Sequence, residues 1–411
     1  MRKIARVLSI LASLACLTAG AEVLDRADGI RIGERMTLRP YVSLSATYDS
    51  NVGGRSGGTD GDFMWTISPG FGLSYNAENW SLLLTGFYNF HSYMKSENRD
   101  YGQHTFGEDL RWNWANSTGA EKGWSLILGQ SFQQVSRLDD ITTDSGSNYG
   151  GNSHQFQLSG ALQRRFNEHW HGDVNASYYW LEYDQNGNDT ASFYGWSRYL
   201  VGAEAGFAPS QWTDLIVSGS YQGYEQDNAQ GDIVGGNSTG YSLQAGLGSY
   251  MTDRISYRAL AGWSRFDYGD GASSSDGFVY TLSGNWKIGE TWNTMLLATS
   301  YYQPSERQQS SQSRVDALSW GLAKSMVRGK LRATLDLRYR RETHEYVSDS
   351  SYDYVMNIWT GRIGMDYRFN RFLACFAYAE YQDSSNSEGD RRNGAYDYDR
   401  WRVTVGARVS Y

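Results

Sequence analysis

Long apolar runs, cysteine and proline are all scarce in this 411-residue chain. Its one extended apolar stretch covers residues 7–18, which is too short for a membrane-spanning helix of roughly 20 residues. The chain has four prolines and two cysteines, and Cys375 is the only cysteine after residue 21. An intrachain disulfide framework is therefore excluded for residues 22–411, even in an oxidising compartment.

The first residues have the three parts of an export signal. Basic residues near the start precede the apolar residues 7–18, and Ala-Gly-Ala at 19–21 is an A-x-A cleavage site. We therefore predict a signal peptide at residues 1–21. A lipoprotein signal ending at Cys16 is the weaker alternative, because Ser13 stands where such signals have a large aliphatic residue.

Aromatic residues, by contrast, are abundant. They make up 15% of the chain, with 31 Tyr and 15 Trp, although the mean hydropathy is only −0.58. This combination favours strands with one face in lipid and the other in water. The signal carries three basic residues, so the mature chain has 34 basic and 45 acidic residues and a net charge of −11. An acidic exported chain argues against nucleic acid as a partner.

The C-terminal residues 401–411 show the pattern that recurs along most of the chain. Apolar side chains such as Trp401 and Val403 alternate with polar ones such as Arg402, and the segment ends on the aromatic Tyr411. A period of two residues is that of a β-strand. Since only helices and closed barrels satisfy the backbone in lipid, the pattern predicts a transmembrane barrel.

The alternating segments predict an all-β fold, an antiparallel up-and-down barrel of about eighteen strands, with sixteen as the alternative count. We expect a short periplasmic segment at residues 22–37 and the barrel at 38–411. Uneven spacing and the absence of a recurring motif disfavour a secreted solenoid or propeller.

The connections between segments alternate in length, which predicts short periplasmic turns, long extracellular loops and both termini in the periplasm of a Gram-negative cell. The short turns are expected near Asn76, Asn167, Pro209, Thr252, Gly289, Arg328 and Asn370, and the long loops at 49–62, 136–151, 226–240 and 383–397.

Tryptophans recur at or beside the first residue after a short turn. They are Trp80, Trp124, Trp170, Trp212 and Trp292. Tryptophan at one height on several strands is typical of an interfacial girdle. The alternative, that aromatics simply favour strands, explains their presence but not their repeated position.

If the apolar rows face lipid, the residues between them face the lumen, and in the C-terminal third these are rich in arginine. The candidates are Arg332, Asp336, Arg338, Arg340, Arg362, Asp366, Arg368, Arg402 and Arg408, with Asp109, Arg111 and Glu204 expected on the opposite wall. Charged rings in a pore set ion selectivity. The competing interpretation, of equal weight, is that a wide lumen simply carries solvated charges.

Catalytic and metal-binding interpretations find little support. His169 and His171 share a strand face but have no neighbouring cysteine or carboxylate pair, so a surface role is favoured. Residues 184–189 resemble the start of a calcium loop, yet Asp189 and Gly195 occupy the required glycine and glutamate positions. We expect no enzyme activity and no cofactor or metal.

Two N-terminal segments resemble the Putative β-barrel porin 2 family. Residues 41–52 end in Tyr-Asp-Ser-Asn-Val, and residues 66–73 contain Ser-Pro-Gly. The resemblance implies an outer-membrane barrel, often associated with exopolysaccharide systems, and no catalytic residues. Because proline removes a donor from the ladder, we predict a bulge or register shift at Pro69 within the second strand.

The favoured function is a porin-like channel that passes polar solutes or an exopolysaccharide through an arginine-rich lumen. The alternative is a plugged, anchoring barrel whose loops bind a partner, and an outer-membrane hydrolase is the least favoured. Expected partners are outer-membrane lipid, lipopolysaccharide, the barrel-assembly machinery acting on the strand that ends at Tyr411, and polysaccharide-secretion components.

Overall fold

The computed structural model describes the following parts of the chain: residues 29–51, 61–94, 104–115, 123–136, 152–183, 196–210, 212–226, 237–249, 254–268, 274–303, 312–345, 354–387 and 397–411. The predicted signal peptide and residues 184–189 lie outside the described residues. No helix in the described ranges is long and apolar enough to cross a membrane.

The described elements are all strands, in one sheet. They are β1 (Ile30–Ile32), β2 (Met36–Asp49), β3 (Asp62–Asn76), β4 (Trp80–Tyr93), β5 (His104–Ala115), β6 (Trp124–Ser136), β7 (Asn152–Arg165), β8 (Trp170–Tyr183), β9 (Trp196–Ser210), β10 (Thr213–Gln226), β11 (Asn237–Ser249), β12 (Ile255–Tyr268), β13 (Ser274–Ile288), β14 (Trp292–Gln303), β15 (Gln312–Met326), β16 (Leu331–Glu345), β17 (Tyr354–Arg368), β18 (Leu373–Ser387) and β19 (Tyr398–Ser410).

The sheet closes on itself as an up-and-down barrel. From β2 onward each strand pairs antiparallel with the next, and β19 pairs with β2. Across this closing seam the hydroxyls of Thr47 and Thr404 share a hydrogen bond of 2.8 Å. The barrel therefore has 18 antiparallel strands, which confirms the predicted fold class and strand count.

The short strand β1 extends the sheet below the closing seam. Ile30 to Ile32 pair with Leu38 to Met36 of β2. On the same edge of β2, the N–H of Tyr411 donates to the carbonyl of Pro40 at 3.0 Å. β1 thus follows the end of β19 along β2, and part of the segment expected before the barrel is paired within the sheet.

Short and long connections alternate around the barrel. The connection from β9 to β10 runs only from Ser210 to Thr213, whereas that from β6 to β7 runs from Ser136 to Asn152. In one short turn the side-chain oxygen of Asn167 accepts hydrogen bonds from the N–H groups of His169 and Trp170 at 2.9 and 2.8 Å. Such side-chain-to-backbone bonds are the reason asparagine favours turns.

The two faces of the sheet differ as the alternation predicts. On β10 and its neighbours, the outward Val217 and Leu243 are 52% and 61% exposed, whereas the intervening Ser218, Ser220 and Ser242 face inward. The hydroxyls of Ser220 and Ser242 share a hydrogen bond of 2.8 Å on the inner face. The outer surface is thus largely apolar and the interior largely polar.

The prediction of a bulge or register shift at Pro69 is wrong. Pro69 is in register with Val42 of β2, and the register with β4 is the same before and after it. Pairing with β4 omits Ser68 and Pro69, so the missing donor is tolerated by a local gap in one ladder. A register shift occurs instead between β9 and β10, beside Pro209.

Glycines mark two sharp bends in the wall. A methyl group on Gly246 or Gly262 would overlap a backbone carbonyl of the paired strand, so the inner faces of β11 and β12 fold towards each other. A methyl on Gly406 of β19 would meet the carbonyl oxygen of Leu44 in β2 at 2.7 Å. Only glycine permits such close backbone approach at a barrel corner.

Candidate solute pathway inside the barrel

The inner faces of β16, β17, β18, β19 and β2, here called the charged wall, carry ionic side chains in register. At one height of the wall successive strands place the following residues opposite one another: Asp336, Arg362, Glu380, Arg402 and Asp49. The sign of the charge alternates at every step, from Asp336 to Asp49. This ladder arises because each strand presents every second residue inward.

The remaining predicted arginines of the C-terminal third occupy the same inner face. Arg332 lies opposite Asp366, and Arg368 and Arg408 both pair with Ala374, on its two sides. All nine candidates from Arg332 to Arg408 therefore belong to one surface, as the two-residue period predicts.

Most of these arginines have a partner. Arg402 forms an ion pair with Glu380, and Arg340 with Glu342. The guanidinium of Arg362 lies 4.0 Å from the centre of the Tyr378 ring, a cation–π distance. The positive charge of the wall is thus largely compensated within the sheet.

Arg338 differs from its neighbours. It is exposed, and its cross-strand positions are Ser319 and Thr360, which carry no charge. Among the described residues it has no ion pair or hydrogen bond. Arg338 is therefore the inward arginine of this wall whose charge is most available to a solute.

The long-loop end of the charged wall contains a buried ion pair that sequence reasoning missed. The Nε atom of Arg400 lies 2.7 and 2.8 Å from the carboxylate oxygens of Asp49, and both residues are buried, at 3% and 5% exposure. Arg400 has the same parity as Arg402, so the alternation could have identified it. Its buried partner across the closing seam had no signal in the sequence.

The inner faces of β9 to β14, here called the folded wall, are lined mainly by small residues. The guanidinium of Arg258 on β12 reaches across β10 and β11 to the carboxylate of Glu204 on β9, with one bond of 2.9 Å. Asp173 of β8 lies opposite Glu204. Glycines and serines at the intervening inward positions leave room for this bridge.

The other predicted residues of this side are placed as follows. Asp109 and Arg111 occupy backbone positions opposite Thr85 and Leu83 of β4. The Nε2 atom of His171 lies 2.6 Å from a carboxylate oxygen of Asp214. Within the described ranges no group of three or more metal-ligating side chains is found.

Towards the long-loop rim the interior is packed with apolar side chains. Tyr224, Phe266, Val279 and Tyr302 form one cluster on the folded wall, joined by Trp196. Phe266 and Val279 are 0% and 1% exposed. On the charged wall at the same rim, the side chains of Glu342 and His344 have no exposed surface. Inward side chains of an empty wide lumen would contact water, so this end is filled.

The five predicted girdle tryptophans all lie near the short-turn rim. Trp170 is 51% exposed and packs 4.8 Å from the outward ring of Phe207. Trp80, Trp124 and Trp212 are also exposed, whereas Trp292 is half-buried beneath the ammonium of Lys324 at 4.4 Å. Four of the five therefore present their rings to the surroundings of the barrel.

A family model with the description "Putative beta-barrel porin 2" matches residues 26–411. The chain belongs to this family. The match covers nearly all of the chain and agrees with the resemblance carried by residues 41–52 and 66–73. The protein is an outer-membrane β-barrel of porin-like type.

No curated protein matches the chain. Among solved structures it is similar to the siderophore receptor PirA from Pseudomonas aeruginosa, at 10% identity, 93% coverage of this chain, 81% of that chain and a TM-score of 0.43. The FrpB iron transporter from Neisseria meningitidis matches at 10% identity, 95% and 83% coverage and a TM-score of 0.44. The ferric-catecholate import receptor Fiu from E. coli matches at 9% identity, 92% and 82% coverage and a TM-score of 0.39.

Proposed function

We propose that the barrel conducts polar, preferentially anionic solutes across the outer membrane. The supporting observation is the ladder of charged side chains on the inner face of a closed sheet of 18 strands. Barrels of 16 to 18 strands are wide enough for an aqueous channel. A lining of charged groups raises the local concentration of solutes of opposite sign.

An acidic exopolysaccharide is the solute class that we favour. Arg338 offers an uncompensated positive charge at mid-strand, and aromatic rings lie on the same inner face. The rings of Phe376 and Tyr378 are 6.1 Å apart and nearly parallel, at 12°. Sugar rings pack on aromatic faces while their carboxylates pair with guanidinium groups, so this wall combines both kinds of contact.

The test is conductance of the purified protein in planar bilayers. Stepwise channels with an anion-selective reversal potential are expected. Replacing Arg338, Arg340, Arg362 and Arg402 by glutamine should lower the anion preference. An unchanged reversal potential would refute the role of the charged wall in selectivity.

The second candidate is a plugged, anchoring barrel whose loops bind a partner. It is favoured by the packing at the long-loop rim, where Phe266, Val279 and Glu342 are fully buried. Absence of conductance under all conditions, including variants that loosen this packing, would support the plug and exclude the channel.

The aromatic belts define the proposed membrane span. On β4 the outward Trp80 and Phe90 are ten residues apart, and both are exposed. At about 3.3 Å per residue and a tilt of about 40°, they are separated by about 25 Å along the membrane normal. A Val217→Arg change on the outer face should therefore cost about 2–4 kcal/mol of folding free energy. Ser218→Arg on the inner face should cost much less, and equal costs would contradict the assignment.

We further propose that the short-turn rim faces the periplasm. β2 begins and β19 ends at that rim. An epitope placed after Tyr411 should be inaccessible to antibody on intact cells, whereas one inserted within 388–396 should be accessible. The reverse labelling would invert the orientation.

A further inference from the structure

The ladder between β13 and β14 stops before either strand ends. Their last pair towards the long-loop rim is Tyr280 with Ser300. Beyond it, residues 274–279 of β13 pair only with β12, and Tyr301 to Gln303 of β14 pair only with β15. We call Tyr301–Gln303 the β14 tip. In the other neighbouring pairs of described barrel strands at this rim, at least one strand is paired to within two residues of its end, so the β13–β14 ladder is unusual in stopping short on both strands.

The β14 tip lies inside the barrel, against the folded wall. The hydroxyl of Tyr302 donates to the carbonyl of Asp276 at 3.3 Å, and its ring belongs to the buried cluster with Phe266 and Val279. A methyl on Gly277, which faces inward, would lie 2.5 Å from the Tyr302 hydroxyl. The tip therefore overlaps the inner surface of β13 instead of continuing beside it.

Contacts with more distant strands show how far the tip reaches. The side-chain amide of Gln222 on β10 donates to the backbone carbonyl of Tyr302 at 3.4 Å. β14 also contacts β12, although β13 separates the two strands in the sheet. The tip thus lies over the inner surface of the folded wall at the long-loop rim and occupies part of the opening.

The register offers the tip a second position. Continuing the ladder beyond Tyr280 and Ser300 would pair Val279 with Tyr301 and Phe278 with Tyr302. By the two-residue period Tyr302 would then face outward, in the row of Ala298 and Ser300. Phe278 is already outward and 52% exposed, in the aromatic surface near the long-loop rim. An amphipathic tyrosine beside it suits a membrane interface.

Each position satisfies groups that the other does not. In the observed position the tip buries the Tyr302 ring, and the ladder between β13 and β14 ends at Tyr280 and Ser300. This position also leaves the hydroxyl of Ser300 buried without a hydrogen-bond partner among the described residues. In the second position the ladder is completed, and the cluster around Phe266 loses one ring.

We propose that the β14 tip is a gate that moves between these two pairing positions, closed with Tyr302 inside and open with Tyr302 opposite Phe278. This inference rests on the proposed channel function for its consequence, since opening removes backbone from the solute path. The movement itself is a change of strand pairing, which a cross-link detects independently of conductance.

The test uses the full chain with Cys375→Ser, so that introduced cysteines are the only ones in residues 22–411. Phe278→Cys with Tyr302→Cys should form a disulfide under mild oxidation, because opposite residues of an antiparallel ladder lie within disulfide reach only in the open position. In the closed position the two side chains are on opposite faces of the wall. Leu282→Cys with Ala298→Cys is the matched control, since that pair is already opposite.

The expected result is a disulfide in both variants, with single-channel conductance or open probability raised several-fold only by the Phe278–Tyr302 cross-link. Reduction should restore the starting conductance. Formation of the control disulfide alone would overturn the gate, as would a Phe278–Tyr302 cross-link that leaves measurable conductance unchanged. If the cross-link forms but every variant is silent, the pairing switch stands and the channel function fails.

Discussion

The charged wall and the folded wall are built from the same alternating strands, yet they fill the lumen in different ways. On the charged wall large side chains occupy the interior and contact side chains of the next strand, as Arg362 does with Tyr378 and Arg402 with Glu380. On the folded wall many inward residues are glycine or serine. The backbone of β14 near the long-loop rim occupies the volume that larger side chains would fill.

The difference shows that the size of the inward side chains controls how closely neighbouring strands approach each other. On the charged wall most neighbouring strands keep ordinary spacing, because bulky charged side chains need the volume above the sheet; the bend at Gly406 is the exception. Glycines such as Gly246 and Gly262 remove that constraint, so adjacent strands bend sharply. The stability of the charged wall should therefore depend on side-chain pairs, whereas conductance should depend on the small residues of the folded wall.

The largest expected effect is on stability, from Arg400→Ala. This change leaves the Asp49 carboxylate buried without its partner, and breaking a buried ion pair costs about 3–5 kcal/mol. The loss should be measurable as a lower free energy of unfolding in urea, followed by heat-modifiable migration. Arg265→Ala is the control, since the Arg265–Asp267 pair is exposed and solvent screens its attraction, so a much smaller loss is expected. Equal losses would contradict the burial argument.

An intermediate effect is expected from Gly277→Val on the folded wall. The added side chain requires the volume of the Tyr302 hydroxyl and should displace the β14 tip, so conductance in planar bilayers should rise several-fold. Gly284→Val on the same strand is the matched control. Its nearest non-local atom is the Ser256 carbonyl oxygen at 3.9 Å, so no change is expected there. A similar rise in both variants would mean that the increase in conductance does not come from displacement of the β14 tip.

The smallest effect concerns selectivity on the charged wall. Arg338→Gln removes one uncompensated charge, which at about 10 Å in water is worth about 0.4 kcal/mol, or about a two-fold change in anion preference. The double change Glu380→Gln with Arg402→Gln removes an ion pair without altering the net charge. Reversal potentials in a salt gradient should shift for the first variant and stay constant for the second. A larger shift for the double variant would mean that the ladder, not its net charge, sets selectivity.

The two-residue period was sufficient to predict much of this architecture. It gave the barrel, the strand number and the common face of residues from Arg332 to Arg408, because in a paired sheet parity alone decides the face. The alternation of short and long connections followed from the same segments. These features depend on residues that are neighbours in the chain, so a single sequence is enough to predict them.

Features that depend on which strands meet were not predictable. The Asp49–Arg400 and Glu204–Arg258 pairs join residues far apart in the chain, and their burial depends on barrel curvature. The β14 tip has two adjacent tyrosines, Tyr301 and Tyr302, which suit either face at a membrane interface, so its departure from the wall was not predictable. The bulge prediction failed at Pro69 because one proline can be accommodated by a gap in a single ladder.

The closing seam has a consequence for how the protein is made. Thr47 and Thr404 are 357 residues apart, yet they are direct neighbours in β2 and β19. Neither strand has its second partner until the other arrives, so the cylinder cannot seal until synthesis and export of β19 are complete. Closure of the barrel is therefore the last step of assembly, and before it the open edges of β2 and β19 can pair with other chains.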